Sequence, residues 1–310
     1  MMIDLICIAS WNVDLIAHVK SPLLRGQTQM AHNFEKQPGG KGSNCAIAAA
    51  RFGANVGLIA RIGGDDFGQM GTDLWSKEGI DYSYVIAVPN EPNGTALILV
   101  YQDGDNSVAV YPGAGAGLSV HNVLSAEKMF EECKLVVASC EVPIEATLEA
   151  FKLARKYGKK TILNPAPAIE LPEEIYPLVD VLIPNESELV QLGGLQITNH
   201  ESTEHQNTIA QKLLKRGVGS LILTQGENGC SLFQTGFPVI QIKGHPVQVA
   251  DTIGAGDTFT GVLAACLSNG ENLQSAMKLA NCAAALSVQS HGAVSAMPTR
   301  QITTKYLLKN

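Results

Sequence analysis

Short runs of apolar, often β-branched residues recur along this chain and alternate with stretches whose apolar positions fall at helical spacing. The runs at Leu5 to Ala9, Val56 to Arg61, Leu135 to Ser139, Lys160 to Leu163, Val181 to Pro184 and Ser220 to Thr224 show little polar alternation. That is expected of strands buried on both faces of a mostly parallel sheet. The intervals are long enough for crossover helices, so the pattern predicts one α/β domain over residues 1–310 with helices on both faces of the sheet. From Ile144 to Lys156, Ile144, Leu148, Phe151 and Leu153 form a helical stripe before Gly158 ends it. Residues 12–37 and 94–112 break the rhythm. The second segment reads as a hairpin, Thr95 to Tyr101 and Ser107 to Tyr111 around Asp103-Gly104-Asp105-Asn106. Together they predict a small β-sheet lid, able to close over a pocket and to meet a second copy; the plainer reading is a sheet extension without a gating role.

Charge narrows the functions. Charged residues make up 16% and the net charge is -7, so no basic field is available for nucleic acid or an anionic membrane. Seven cysteines are scattered without a C-x-x-C pair, which speaks against a zinc or disulfide framework and for a reducing, cytoplasmic setting. Met1 to Ser10 carries Asp4 and no basic segment, so it reads as a buried first strand rather than a secretory signal. No apolar run reaches membrane-spanning length.

Candidate chemistry concentrates at two glycine-rich turns. In Asp251-Thr252-Ile253-Gly254-Ala255-Gly256-Asp257, Val247 to Val249 upstream is strand-like and Phe259 to Leu267 downstream is helical. Gly254 to Gly256 then lies where a helix begins, with free N–H groups and the positive end of the dipole directed at an anion. Asp257, in the first turn, is placed to take a proton from an attacking hydroxyl, and the helix end should favour its ionised form. A plain strand-to-helix turn, with Asp257 complementing the dipole, fits the spacing equally well.

The second turn, Gly39-Gly40-Lys41-Gly42-Ser43-Asn44, runs into an Ala-rich helix ending near Gly53. It is no P-loop, because Gly42 follows the lysine and Glu35 stands where the first glycine is needed; the alternative is glycines that merely admit helix–sheet contact. Phe259 and Leu118 likewise break the dinucleotide spacing at Gly254 and in Gly113 to Gly117, which argues against an NAD-dependent oxidoreductase. The latter run reads as a flexible loop. Asn12, Asp14, Glu141, Asn164 and Asn185 to Glu188 follow strand ends, where α/β sheets bind ligands, although each alone also suits a cap or turn.

With these blocks in order, joined by Asn164-Pro165-Ala166-Pro167, Pro184-Asn185-Glu186-Ser187-Glu188 and Leu223 to Gly229, the chain resembles the ribokinase family of carbohydrate kinases over nearly its whole length. The resemblance implies a Rossmann-like fold with a β-sheet lid that often makes a homodimer, and ATP-dependent phosphorylation of a sugar hydroxyl, D-ribose to its 5-phosphate first. Kinases for 2-deoxyribose or a nucleoside, and a non-catalytic sugar or nucleotide sensor, remain alternatives. It implies that Asn12, Asp14, Gly40, Lys41, Gly42, Asn44 and Glu141 hold the sugar, and that Asp257 is the base beside an anion hole at Gly254, Ala255 and Gly256. Asn185, Thr224, Gly226, Gly229, Gly256 and Asn281 would line the ATP site, and Glu188 would position Mg²⁺ through water. Asp251, Ile253, Ser287, Ser290, Gly292 and Ala296 would surround a monovalent cation, K⁺. The chain departs from the family pattern at Ala296 (commonly serine; Ser295 is adjacent), at Gly115 (commonly asparagine) and at Gln27 (commonly glutamate).

Overall fold

Strands buried on both faces build the centre of the molecule, a computed structural model that describes residues 2–194 and 203–309. The described strands are, in chain order, β1 (Leu5–Ala9), β2 (Asn12–His18), β3 (Asn33–Gly39), β4 (Val56–Gly63), β5 (Asp81–Val88), β6 (Gly94–Val100) and β7 (Asn106–Tyr111). They continue with β8 (Leu135–Ser139), β9 (Lys160–Asn164), β10 (Val181–Leu182), β11 (Ser220–Thr224), β12 (Cys230–Phe233) and β13 (Ile240–Ile242). The main sheet runs β13-β12-β11-β10-β9-β8-β1-β4-β5. It is parallel from β11 to β5 and ends in the antiparallel edge β11-β12-β13.

All six strands read from the sequence lie side by side in this sheet. Along β1 the pleat divides the apolar run: Leu5, Cys7 and Ala9 enter one core layer, Ile6 and Ile8 the other. The helix Ile144–Lys156 matches its predicted bounds. The second sheet, β3-β2-β6-β7, draws on both segments read as a lid, with β2 and β6 parallel and the outer pairs antiparallel. Phe34, Leu97, Val108, Val110 and Tyr111 of this sheet are exposed.

Two local expectations are corrected. Val247 to Val249 lies in no strand; the chain there docks on a helix end instead, with Ala250 N–H and Asp251 N–H donating to Val288 O. Gly113 to Gly117 is a pinned 3₁₀ turn rather than a flexible loop. Ala114 is fully buried, Arg61 Nη1 donates to its carbonyl at 2.6 Å, and a Cβ on Gly117 would strike the Arg61 guanidinium at 2.2 Å. No helix of the described residues is long and apolar enough to cross a membrane.

Two helices carry the glycine-rich turns to the same end of the sheet. The helix Lys41–Arg51 packs against the helix Ala255–Ser268 at Gly261, where a Cβ would lie 2.2 Å from Cys45 O. Only a missing side chain permits this approach, which fixes the two helix N-termini relative to each other.

Candidate active site

The first glycine turn crosses the end of β1 in near contact. A Cβ on Gly40 would lie 2.6 Å from Ser10 O, one on Gly42 would lie 2.4 Å from Ala9 Cα, and Gly40 has φ +94°. The helix that follows begins with N–H groups in need of acceptors. Lys41 N–H donates to Glu141 Oε2 at 2.8 Å, Gly42 N–H to Ser10 Oγ at 3.2 Å and Ser43 N–H to Ser10 O at 3.2 Å. Ser10 Oγ in turn donates to Glu141 Oε2 at 2.7 Å. Glu141, read as a sugar ligand, is therefore also the anchor of the Lys41 turn. Ser10 escaped the sequence reading, though a serine directly after the first strand was a usable signal.

Asn44, one turn into this helix, joins the two signature regions. Its Nδ2 donates to Asp257 Oδ2 at 2.9 Å across 213 positions of sequence, and both side chains are buried. Asn44 Oδ1 has no partner in the protein. Asp14 on β2 lies beside the same turn, since a Cβ on Gly39 would sit 2.6 Å from its Oδ1; Asn12 packs against Gly94 on β6. The lid thus brings Asn12 and Asp14 over the Lys41 turn.

Gly254 opens the second helix in the left-handed region, φ +76°, against Ala293. Ala255 N–H turns to Thr252 O at 3.3 Å. Gly256 and Asp257 follow in the first helical turn, where N–H groups have no intrahelical carbonyl to meet. A Cβ on Gly256 would meet nothing within 4 Å, so this backbone is open to a ligand on that side. Of the three residues read as an anion hole, Gly256 is the best placed.

Charge at the site departs from the sequence reading. Burial pushes the Asp257 carboxyl above its ordinary range, opposed by the Lys41 ammonium and the Asn44 hydrogen bond and aided by Glu141. The helix end does not prevail over desolvation, and a base of raised pKa is the stronger proton acceptor. Burial, then Glu141, raises Asp14 to about 6 despite Lys41. Glu188 is raised by burial against hydrogen bonding at Asn185 and the field of Lys41. Burial would lower Lys41, but Asp257, Glu141, Glu188 and Asp14 together outweigh it and hold the ammonium charged.

A stability consequence follows. A carboxyl whose folded pKa lies above its unfolded value makes the fold less stable as pH rises through the interval, here from 3.8 toward about 6 for Asp14. That gap corresponds to about 3 kcal/mol, reduced to about 1–2 kcal/mol by solvent at a partly exposed group. Asp14→Asn is expected to raise Tm by about 2–3 °C at pH 8 and by little at pH 4, checked by thermal unfolding at both pH values. An unchanged difference between the two would contradict the burial of this charge.

The residues read as a nucleotide site gather beyond β10 and β11. Asn185 pairs with Thr224, whose N–H donates to Pro184 O at 3.0 Å. Gly226 and Gly229 take φ +53° and +92° in the next turn, and Asn281 Nδ2 donates to Lys243 O at 2.8 Å alongside, where a Cβ on Gly229 would strike Ile242 O. Asn185 and Glu188 cap the helix Glu186–Leu192 reciprocally, and the Glu188 carboxylate still faces Lys41 and Asp257. Among the described residues no group of three or more His, Cys, Asp or Glu side chains could hold a metal ion. A Mg²⁺ ion would have to come with nucleotide phosphates, and Glu188, beside them, is the carboxylate that could steady it through water.

Asp251, read from the resemblance as a ligand of a monovalent cation, links two loops. Its Oδ1 accepts from Ile253 N–H and its Oδ2 from Gly292 N–H, both at 2.9 Å, joining two of the loops read as ligands. Ser287 Oγ donates to Ala284 O and Ser295 Oγ to His291 O. Ser290 lies exposed beside this loop.

Comparison with known proteins bears on the family and the fold. The family model described as pfkB family carbohydrate kinase matches residues 2–300. The bifunctional ribokinase/ribose-5-phosphate isomerase A of Fructilactobacillus sanfranciscensis is 37% identical over 97% of this chain, which spans only 55% of that protein. Ribokinase of Staphylococcus aureus is 35% identical, covering 94% of this chain and 96% of that one, and deoxyribokinase of Salmonella typhi is 33% identical with 99% of each covered. Among solved structures, Arabidopsis thaliana ribokinase complexed with ribose and ATP superposes with a TM-score of 0.90 at 30% identity, covering 99% of each chain.

Proposed function

This chain belongs to the pfkB family of carbohydrate kinases, and we propose that it transfers the γ-phosphoryl group of ATP to the 5-hydroxyl of D-ribose. The observation that carries the reading is the Asn44–Asp257 hydrogen bond, which sets a buried carboxylate between a polar sugar-sized turn and an open helix start. The relatives' names favour ribose, and a kinase for 2-deoxyribose is the second reading, favoured by the deoxyribokinase likeness.

In this mechanism Asn12, Asp14, Lys41 and Asn44 orient the sugar, Asp14 accepting from two neighbouring hydroxyls and Asn44 Oδ1 from another. Asp257 takes the proton of the attacking hydroxyl as its oxygen forms a bond to the γ-phosphorus and the bond to the ADP oxygen breaks. The N–H groups of Gly256 and Asp257 donate to the phosphoryl oxygens in transit, with Gly254 and Ala255 shaping the turn. Asn185, Thr224, Gly226, Gly229 and Asn281 hold the nucleotide. Bound Mg²⁺, steadied through water by Glu188, would supply neutralisation of phosphate charge. K⁺ would sit among the carbonyls of Ile253, Ser287, Ser290, Gly292 and Ala296 around Asp251 and order the Gly254 turn.

We place the protein in the cytoplasm, which suits seven free, buried thiols. The exposed apolar residues of the lid sheet favour a homodimer formed through it; sedimentation showing a monomer at micromolar concentration would remove that part. Coupled ADP release over ribose, 2-deoxyribose and nucleosides, with KCl against choline chloride, tests the whole. Ribose should give the highest kcat/KM. Turnover of a nucleoside with none of ribose would overturn the assignment.

A further inference from the structure

A cavity of about 10 Å³ borders the candidate base, at the lower limit of the room one water molecule needs. Its lining includes Ser139 at the end of β8, Asn164 at the end of β9, and Asp257 with Thr260 on the helix Ala255–Ser268; Lys41 and Cys45 border it from the facing helix. Ser139 and Thr260 are 3% and 2% exposed, and neither hydroxyl has a partner in the protein. A buried hydroxyl left without a partner bears its full desolvation cost. A water in such a site needs two to four polar neighbours; Ser139, Thr260, Asn164 and Asp257 are the candidates in a lining that Cys7, Val137 and Ala138 otherwise make apolar.

We propose that this cavity holds one internal water that ties Thr260 and Ser139 to the Asp257 carboxylate, making both hydroxyls positioning residues for the base. The inference rests on the reading of Asp257 as base. The water would donate a hydrogen bond to one Asp257 oxygen while Asn44 holds the other. Such a bond favours the ionised carboxylate and fixes its direction. Thr260, one turn after Asp257, is placed for this by helix periodicity alone.

Thr260→Val removes the hydroxyl while keeping its shape. In the wild-type protein a high-resolution crystal structure should show one ordered solvent molecule within hydrogen-bond distance of Thr260 Oγ1 and Ser139 Oγ, and in Thr260→Val it should be gone. The variant's kcat should fall about tenfold, with KM for ribose within about twofold and the acid limb of kcat about one pH unit higher. The other groups bearing on Asp257 (Lys41, Asn44 and Cys45 from the facing helix, Asp14, Glu141 and Glu188) are unchanged by the substitution. Thr260→Ser should restore all three readouts. Thr147→Val, which removes another buried unpartnered hydroxyl from the helix Ile144–Lys156, should move none.

If Thr260→Val does not fold, Ser139→Ala tests the opposite wall and should lower kcat in the same direction. A dry cavity in the wild-type crystal, or unaltered kcat and acid limb in soluble Thr260→Val, overturns the proposal. Absence of sugar-dependent ADP release by the wild-type protein would instead sink the functional reading, leaving the solvent site to be judged by crystallography.

Discussion

Asp257→Asn is expected to lower kcat by about 10²- to 10⁴-fold, the range for loss of a general base, with little change in affinity for ATP. Asparagine keeps the size of the side chain and can still meet Asn44 across the 2.9 Å contact, so the helix start and its N–H groups stay in place. What disappears is the proton acceptor. Because burial raises the Asp257 pKa, the uncharged variant should unfold at a higher temperature than the parent above pH 7, as expected where a site holds a buried charge for function. Rapid-quench turnover and thermal unfolding on one preparation measure both. A variant with near-normal turnover would return Asp257 to the plain role of helix-dipole partner, and a wild-type protein that binds sugar without turnover would support the sensor reading.

The acid limb of kcat/KM is a related expectation. In the proposed mechanism Asp14 binds the sugar and Asp257 accepts the proton in their ionised forms, so activity should fall as pH drops through about 6, the value set for Asp14 by burial and Glu141. An acid limb near pH 4, measured with ribose below its KM, would show that neither carboxylate is as buried in solution.

Much of this was legible before any coordinates. The parallel strands announced themselves because burial on both faces leaves uninterrupted apolar runs, and the helix from Ile144 to Lys156 because its stripe is bounded by Gly158. β5 and the β12-β13 edge were harder. They lie at the margins of the sheet, where exposed positions dilute the pattern; no residue of β5 is fully buried and β13 has three residues. Val247 to Val249 has strand composition without a strand to pair with, which composition cannot reveal.

At the site, residue types were readable and their mutual arrangement was not. Nothing local in Asn44 or Asp257 says that they meet across 213 positions. That contact depends on Gly261 letting two helices approach to backbone distance. The sign of the Asp257 shift was misjudged for a similar reason: the helix start is visible in the glycine spacing, whereas desolvation arises from β1, β8 and the facing helix closing around the carboxylate. The Ser139–Thr260 cavity is likewise a property of packing between elements.

Lys41→Met should be the second most damaging change, lowering kcat/KM by about 10²- to 10³-fold, on the scale of removing one group that stabilises developing charge. The Lys41 ammonium faces Asp257, Glu141, Glu188 and Asp14, and its field lowers the pKa of Asp14, Asp257 and Glu188. Methionine preserves the apolar stem and removes the charge. The three carboxyls then ionise at higher pH, so the acid limb of activity should move upward. ATP phosphates approaching Gly256 would also meet an uncompensated negative field. The same change makes stability more sensitive to pH: Tm should fall relative to wild type at pH 8, where the carboxylates are charged, and match it near pH 4, where they are protonated. Arginine at this position should rescue the Tm difference more fully than the rate, because its planar fork cannot reproduce a compact ammonium. If Lys41→Met keeps kcat/KM within about threefold of wild type with an unmoved acid limb, the four carboxylates are screened by solvent and the cation has no share in catalysis.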